Sequence, residues 1–582
     1  MKKPENAKWS LSALALLIAA LMGGCPLTED PIALPACEPP ENVLYVNQNN
    51  DSGDEDGTTW ESAFTSVQAA VDAATSGDEV WVAAGTYKSG STDPVLTMAE
   101  GVSVFGGFTG GECTHEDSDW IANPTILDGD NTGDGPTTDD SWHVVVGASS
   151  ARFSGFQVTG GHVDYPCDGP FECISGSAMY NDSVSGLSID HVVFHHNTAF
   201  NCSILTGFSG VSFSDVILFA NAGTWGNGGL CLLMSDTAMG NVAFVNNQGG
   251  PHSSGGGMSN GGGMSDDYSL MAMNLTFSRN SATYGGGLYI LASDATTFVN
   301  ATFAENYGDQ GGAVYNDSGE FTLINATFRG NLAESDGGAA FLWDDSSLIN
   351  VSFESNEADF LDDDHDGVGG AILVESSSVE VINGAFYGNL DDNPASSNPV
   401  SSEIVVSGSG NLTASHTCNE TDIEGTGNVT LTGQPFEQPN AGGELFLDPA
   451  GADTGCIDAG DNAAADAAIG EGLWEAQTTR ADGQTESDID GTGSETVDDG
   501  RHYDPSAVRI DSFKADATNI TWTSTYAESC HLFNDEDRSV LVTSVAGLGG
   551  GVLAHGQTGG TELFLICMGS AGEPAVAVVT VP

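Results

Sequence analysis

The apolar positions of this chain recur in one column between about Val242 and Leu390. Short apolar runs are built around a phenylalanine and bracketed by asparagines: Asn241-Val-Ala-Phe244-Val-Asn-Asn247, Asn274-Leu-Thr-Phe277-Ser-Arg-Asn280 and Asn300-Ala-Thr-Phe303-Ala-Glu-Asn306. Asn325-Ala-Thr-Phe328-Arg-Gly-Asn331, Asn350-Val-Ser-Phe353-Glu-Ser-Asn356 and Asn383-Gly-Ala-Phe386-Tyr-Gly-Asn389 continue the column. The phenylalanines are 33, 26, 25, 25 and 33 residues apart, and Phe194 and Phe219 extend the series upstream at 25. Gly-Gly pairs follow most of them, at 228–229, 286–287, 311–312, 337–338 and 369–370. Strand-sized apolar runs at this period, without helical spacing, predict a solenoid in which each unit buries its apolar face on its neighbours.

Within a coil, the phenylalanine is the inward side chain. The asparagine three residues later falls at a turn, where its amide can bond the backbone and the asparagines above and below. The Gly-Gly pair permits a corner with no room for Cβ atoms. Taking residues 78–435 as the solenoid gives about 14 coils stacked ~4.8 Å apart, a rod of roughly 65–70 Å. Ahead of it, residues 43–77 contain a strand at Val43–Val46 and an amphipathic helix over 62–74 with Phe64, Val67, Val71 and Ala74 on one face. That helix is expected to cap the exposed end of the stack.

The first part of the chain resembles bacterial right-handed parallel β-helix repeat proteins. The resemblance rests on Tyr45-Val-Asn47, Gly57-Thr-Thr-Trp60, Gly77-Asp78-Glu-Val-Trp81, Gly85-Thr-Tyr87, Gly106-Gly107-Phe108 and Leu127-Asp128-Gly129-Asp130. The Phe-x-x-Asn and Gly-Gly-Ala columns are similar to those of polymorphic outer-membrane proteins, which implies a surface adhesin. The transmembrane β-barrel pattern of those proteins does not occur at this C-terminus. Residues 436–505, with Cys456-Ile-Asp-Ala-Gly-Asp-Asn462, Arg480 and Arg501-His502-Tyr503, resemble the family's closing segment and are expected to cap the other end. From 506 to 582, short strands with turn signals look like a small immunoglobulin-like sandwich, with Trp522 in its core and Cys530–Cys567 as its bridge. The expected fold is therefore all-β.

Composition adds a partner class and a compartment. The 582 residues carry 82 Asp plus Glu against 12 Lys plus Arg, a net charge of −70. Nucleic acid and anionic surfaces are repelled, whereas divalent cations are attracted; solubility in a salty medium would use the same composition. Lys2, Lys3 and Lys8 precede an apolar run from Leu11 to Met22 that has the layout of a secretory leader. The leader, residues 1–24, ends in Leu21-Met-Gly-Gly-Cys25, which resembles a bacterial lipobox and implies lipid attachment at Cys25. The Pro-rich, acidic stretch 25–42 reads as an extended tether. Ten further cysteines in an exported chain suggest disulfides. Neighbours in sequence are the simplest pairs: Cys167–Cys173, Cys202–Cys231, Cys418–Cys456 and Cys530–Cys567.

Chemistry is sparse. Asp362-Asp-Asp364-His-Asp366-Gly367 places carboxylates at alternate positions before a glycine, an arrangement that suits Ca2+, and it interrupts a coil of 33 residues. Leu373 stands where an EF-hand needs a bidentate glutamate. Asp51, Asp54 and Asp56, and Asp488 with Asp490, are weaker versions. The other long interval holds Gly255 to Met264, a flexible loop or doubled corner. His191, His195 and His196 read as a surface feature, and no catalytic residue is assigned. The expected role is an adhesion or envelope-interaction scaffold, lipid-anchored at the cell surface, whose partner is a surface glycan or protein. The alternative is a polysaccharide lyase or hydrolase. Polyuronate lyases need a base, and the solenoid offers only Lys88, Arg152, Arg279 and Arg329, of which Arg279 and Arg329 look decorative.

Overall fold

The computed structural model describes residues 41–163, 174–261, 269–291, 295–360, 367–391, 403–420, 423–435, 508–516, 519–534, 539–543, 551–554, 560–569 and 574–582. From 41 to 435 the described chain winds through parallel sheets. One coil runs from Leu288–Leu291 in an 11-stranded sheet, through the long strand Ala295–Ala304, to Tyr307–Gln310 in a third sheet, then round a corner to Val314–Asn316. Each strand pairs in parallel with its counterpart one coil on, as Phe303 faces Phe328 and Tyr289 faces Tyr315. This winding is a parallel β-helix.

The register runs Phe194, Leu218, Phe244, Phe277, Phe303, Phe328, Phe353, Phe386. From Phe244 onward the rings stack with centroids 4.5–4.9 Å apart and planes within 5°. All are essentially fully buried, and each stacked pair adds about 0.5–1.5 kcal/mol to the burial term. Phe219 is not in this column, contrary to the sequence expectation. Leu218 takes the inward position, and Phe219, one residue on, points out of the solenoid.

The asparagine three residues after each inward side chain forms an eight-rung ladder: 197, 221, 247, 280, 306, 331, 356 and 389. Each Nδ2 donates to the next Oδ1 at 2.8–3.0 Å. The same Nδ2 also donates to a carbonyl of the coil before, as Asn197 does to Val158 at 3.0 Å and Asn306 to Phe277 at 2.9 Å. A second column sits three residues before the inward side chain. Asn241, Asn274, Asn300, Asn325, Asn350 and Asn383 adopt φ of 54–63° and bend the long strand. Asparagine tolerates this left-handed conformation better than most residues. In the earlier coils the bend falls on His191 and Asp215. At the Gly-Gly corners 311–312, 337–338 and 369–370 the first glycine is also left-handed, φ +67° at Gly337. The second has no space, since a Cβ on Gly338 would lie 2.2 Å from the carbonyl of Gly370.

The helix is shorter than expected, Val67–Ala73, started by the Ser66 hydroxyl accepting from the amide of Ala69. Val67, Ala70 and Val71 join the solenoid core, while Phe64 lies before the helix and bridges to Val46. Val43–Val46 already pairs with Glu79–Ala83 in the long sheet, so the stack includes a strand earlier than residue 78. The segment read as a flexible loop or doubled corner contains the strand Met258–Gly261, and Gly255 to Gly257 make its corner. Residues 436–507, including the expected closing segment, lie outside the described residues.

The C-terminal module has two antiparallel sheets. Arg509–Ala515, Asn519–Thr525 and Gly551–Ala554 form one; Ser539–Thr543, Ser529–Asn534, Glu562–Met568 and Ala575–Thr580 form the other. They share a core of Ile510, Ile520, Trp522, Leu532, Leu563 and Leu565. Cys530 and Cys567 are bonded, with Cα atoms 4.0 Å apart, but they are direct partners on adjacent strands of one sheet. The bridge thus differs from the sheet-to-sheet disulfide of immunoglobulin domains. It reinforces the sheet whose other face lies against the solenoid: Phe533, Phe564, Ile566, Met568 and Val576 pack with Val193, Ile217, Phe219, Ala243 and Val245.

Candidate functional site

The residues proposed for calcium, Asp362, Asp364 and Asp366, lie outside the described residues, as do Cys25, Cys167, Cys173, Cys456, Asp488 and Asp490. Cys202 and Cys231 are bonded, with Cα atoms 5.9 Å apart on neighbouring coils. Cys418 is also disulfide-bonded. Among the described residues, no group of three or more His, Cys, Asp or Glu is arranged to hold a metal ion. Asp56, one of the weaker cation candidates, instead accepts from Thr58 and Ser62 and closes a turn.

All four basic side chains of the solenoid are in ion pairs. Lys88 lies 2.9 Å from Asp128, Arg152 2.6 Å from Asp190 and Arg329 3.3 Å from Glu354. Arg279 is not decorative: it pairs with Glu305 at 2.7 Å and reaches Glu562 of the C-terminal module at 3.3 Å. Its guanidinium also lies 5.9 Å from the Phe564 ring centre, tying the module to the solenoid. Arg152 binds Asp190 through two nitrogens, at 2.6 and 2.8 Å, and this hydrogen bonding raises its pKa against the effect of burial. Burial would raise the Asp190 pKa, but hydrogen bonds from Arg152, His191 and Ser154 overcome it and hold the carboxyl well below the usual range. An arginine so held is a poor base for C5 proton abstraction.

The histidines are not a surface feature. His195 and His196 are buried, with their Nδ1 atoms 3.0 Å apart. His191 is half-buried against Asp190, whose hydrogen bond raises its pKa.

An aromatic row on the outer face of the 11-stranded sheet was not anticipated. Tyr289, Tyr315 and Phe341 occupy one register position, with centroids 5.6 and 4.8 Å apart. Tyr284 adjoins it at 5.3 Å from Tyr315, and Trp343 at 6.0 Å from Phe341. Tyr315 and Phe341 are buried, whereas Tyr284 is 39% and Trp343 47% exposed. Carboxylates flank the row. The Tyr289 hydroxyl donates to Asp317 at 2.9 Å, and burial, with Asp317, Tyr284 and Glu375 nearby, pushes the Tyr315 hydroxyl up to about 12. The signal in the sequence is an aromatic three residues past a corner glycine: Gly286 to Tyr289, Gly312 to Tyr315, Gly338 to Phe341.

With the geometry in place, similarity to known proteins adds little. No protein-family model matches the sequence, and no curated protein matches it. Among solved structures, the chain is similar to the pectate lyase Pel9A, with 12% identity, a TM-score of 0.40, and 72% of this chain and 91% of that one covered. It is similar to the alginate lyase AlyF-OU02, with 13% identity, TM-score 0.37, and 65% and 87% covered. It is also similar to PfbA, a surface adhesin of Streptococcus pneumoniae, with 9% identity, TM-score 0.22, and 60% and 86% covered. These likenesses carry no functional argument, and the class of the protein rests on its own strand register: a parallel β-helix carrying an antiparallel two-sheet module.

Proposed function

We propose that the chain is a non-catalytic glycan-binding scaffold of the cell surface. It is a right-handed β-helix closed by the Val67–Ala73 helix, held by lipid at Cys25 and acting in adhesion. The observation that carries this reading is the pairing of all four lysine and arginine side chains of the solenoid with carboxylates, which makes each of them a poor base for uronate chemistry. The aromatic row supplies the binding surface. Sugar rings stack their C–H faces on exposed aromatics, and the flanking carboxylates accept from sugar hydroxyls. A net charge of −70 repels polyanions and directs the site to neutral glycans. Binding to immobilised neutral glycans is expected to weaken about ten-fold, or ~1.4 kcal/mol, in Trp343→Ala, in keeping with the stacking contribution of one ring. Equal binding by wild type and Trp343→Ala would remove the row from the site.

One feature favours the hydrolase reading. The Tyr307 hydroxyl donates to Glu334, and burial, together with Glu334, raises the pKa of Asp309. A carboxyl with a raised pKa near a second carboxylate is what acid-base hydrolysis of glycosides employs. Loss of reducing-end release in Asp309→Asn would support that reading.

A further inference from the structure

The junction between solenoid and C-terminal module buries titratable groups in an apolar contact. Along Ser529–Asn534, Cys530 and Leu532 enter the module's own core while Phe533 packs on the solenoid. Strand alternation therefore turns His531 to the solenoid side as well. Its ring lies 5.0 Å from that of Trp120, which in turn lies 5.6 Å from His191. His531 is 0% exposed, and among the described residues neither of its ring nitrogens has a hydrogen-bonding partner. On the solenoid, His195 shares its register position with Phe219, whose ring is 4.4 Å from Phe533 and 5.1 Å from Phe564. The Nε2 of His195 is likewise buried with no partner among the described residues.

Among the described residues, the charged groups around the junction do not answer a proton on either ring. Asp190 is occupied by Arg152, Ser154 and His191. Asp215 accepts from Asn241 and Ser214. Glu562 faces Arg279 at the rim, and His196 adds a second imidazole beside His195. From this arrangement we propose that the junction is an acid-released latch, in which protonation of His531 and His195 undocks the C-terminal module from an intact solenoid.

The sign follows from burial. Desolvation lowers the His531 pKa from 6.5 to about 4, and burial with His196 lowers that of His195. Docking is thus strongest above the undocked value and is lost as pH falls from there toward the docked one. For His531 alone, the docked-to-undocked ratio falls about 30-fold at pH 5, the result of a pKa near 6.5 undocked and about 4 docked. Release would uncover Phe219, Phe533 and Phe564.

Hydroxyl-radical footprinting of the full chain tests this. Phe219, Phe533, Phe564 and Met568 should be protected at neutral pH and labelled at least about ten-fold more at pH 5. Phe303 and Phe328, in the solenoid core, should stay protected throughout. In His531→Phe with His195→Leu the junction should remain protected at pH 5. Protection of the wild-type junction at pH 5, or equal acid labelling of wild type and variant, would overturn the proposal. Should the double variant misfold, seen as labelling of Phe303, the single His531→Phe variant decides by the same two outcomes.

Discussion

Asn306→Asp should destabilise the solenoid by about 3–5 kcal/mol at neutral pH, the cost of breaking a buried charge-sensitive network. The wild-type amide donates to Asn331 Oδ1 at 3.0 Å and to the Phe277 carbonyl at 2.9 Å. A carboxylate puts an acceptor against both, in a site that is 0% exposed. Asn306 Oδ1 also accepts from the backbone and side chain of Asn280 at 3.0 Å, so the ladder cannot simply rotate the group away. Burial would raise the pKa of the new carboxyl, and the protonated form regains one donor. The loss should therefore be largest above that raised pKa and shrink as the pH drops through it. Thermal unfolding of wild type and variant at neutral and mildly acidic pH checks both magnitude and sign. A variant as stable as wild type at neutral pH would mean that the ladder is not formed in solution.

Phe328→Ala should cost about 3–5 kcal/mol, through lost burial and the cavity left behind. Its ring is stacked 4.7 Å from Phe303 and 4.5 Å from Phe353, so the truncation removes two ring contacts at once. Coils contact only their neighbours, so the loss should be local. Hydrogen exchange should quicken most in Ala295–Ala304, Glu320–Arg329 and Ser346–Glu354. Uniform acceleration along the whole solenoid would contradict a stack of semi-independent coils.

The stack was legible because its period repeats chemistry as well as spacing: an apolar side chain, two residues, an asparagine. Reading the phenylalanine alone misplaced one coil. In Leu218-Phe219-Ala-Asn221 the asparagine marks Leu218 as the inward residue, and Phe219 becomes an outward aromatic that requires a cover. Its cover comes from strands far along the chain, so His195 looked exposed and Arg279 looked idle. The module's strands did carry a sign of this. In Cys530-His-Leu-Phe533 and Leu563-Phe-Leu-Ile-Cys567 both faces are largely apolar, as befits a sheet covered on both sides. The aromatic row went unread because its members fall in successive coils, and only the register sets Tyr289, Tyr315 and Phe341 side by side.

The most direct test of the binding-scaffold account is incubation of the purified chain with a panel of uronate and neutral polysaccharides, followed for new double-bond absorbance and for reducing ends. The account predicts binding to neutral glycans with neither signal. Sustained double-bond absorbance from a uronate polymer, or reducing ends that disappear in Asp309→Asn, would contradict it.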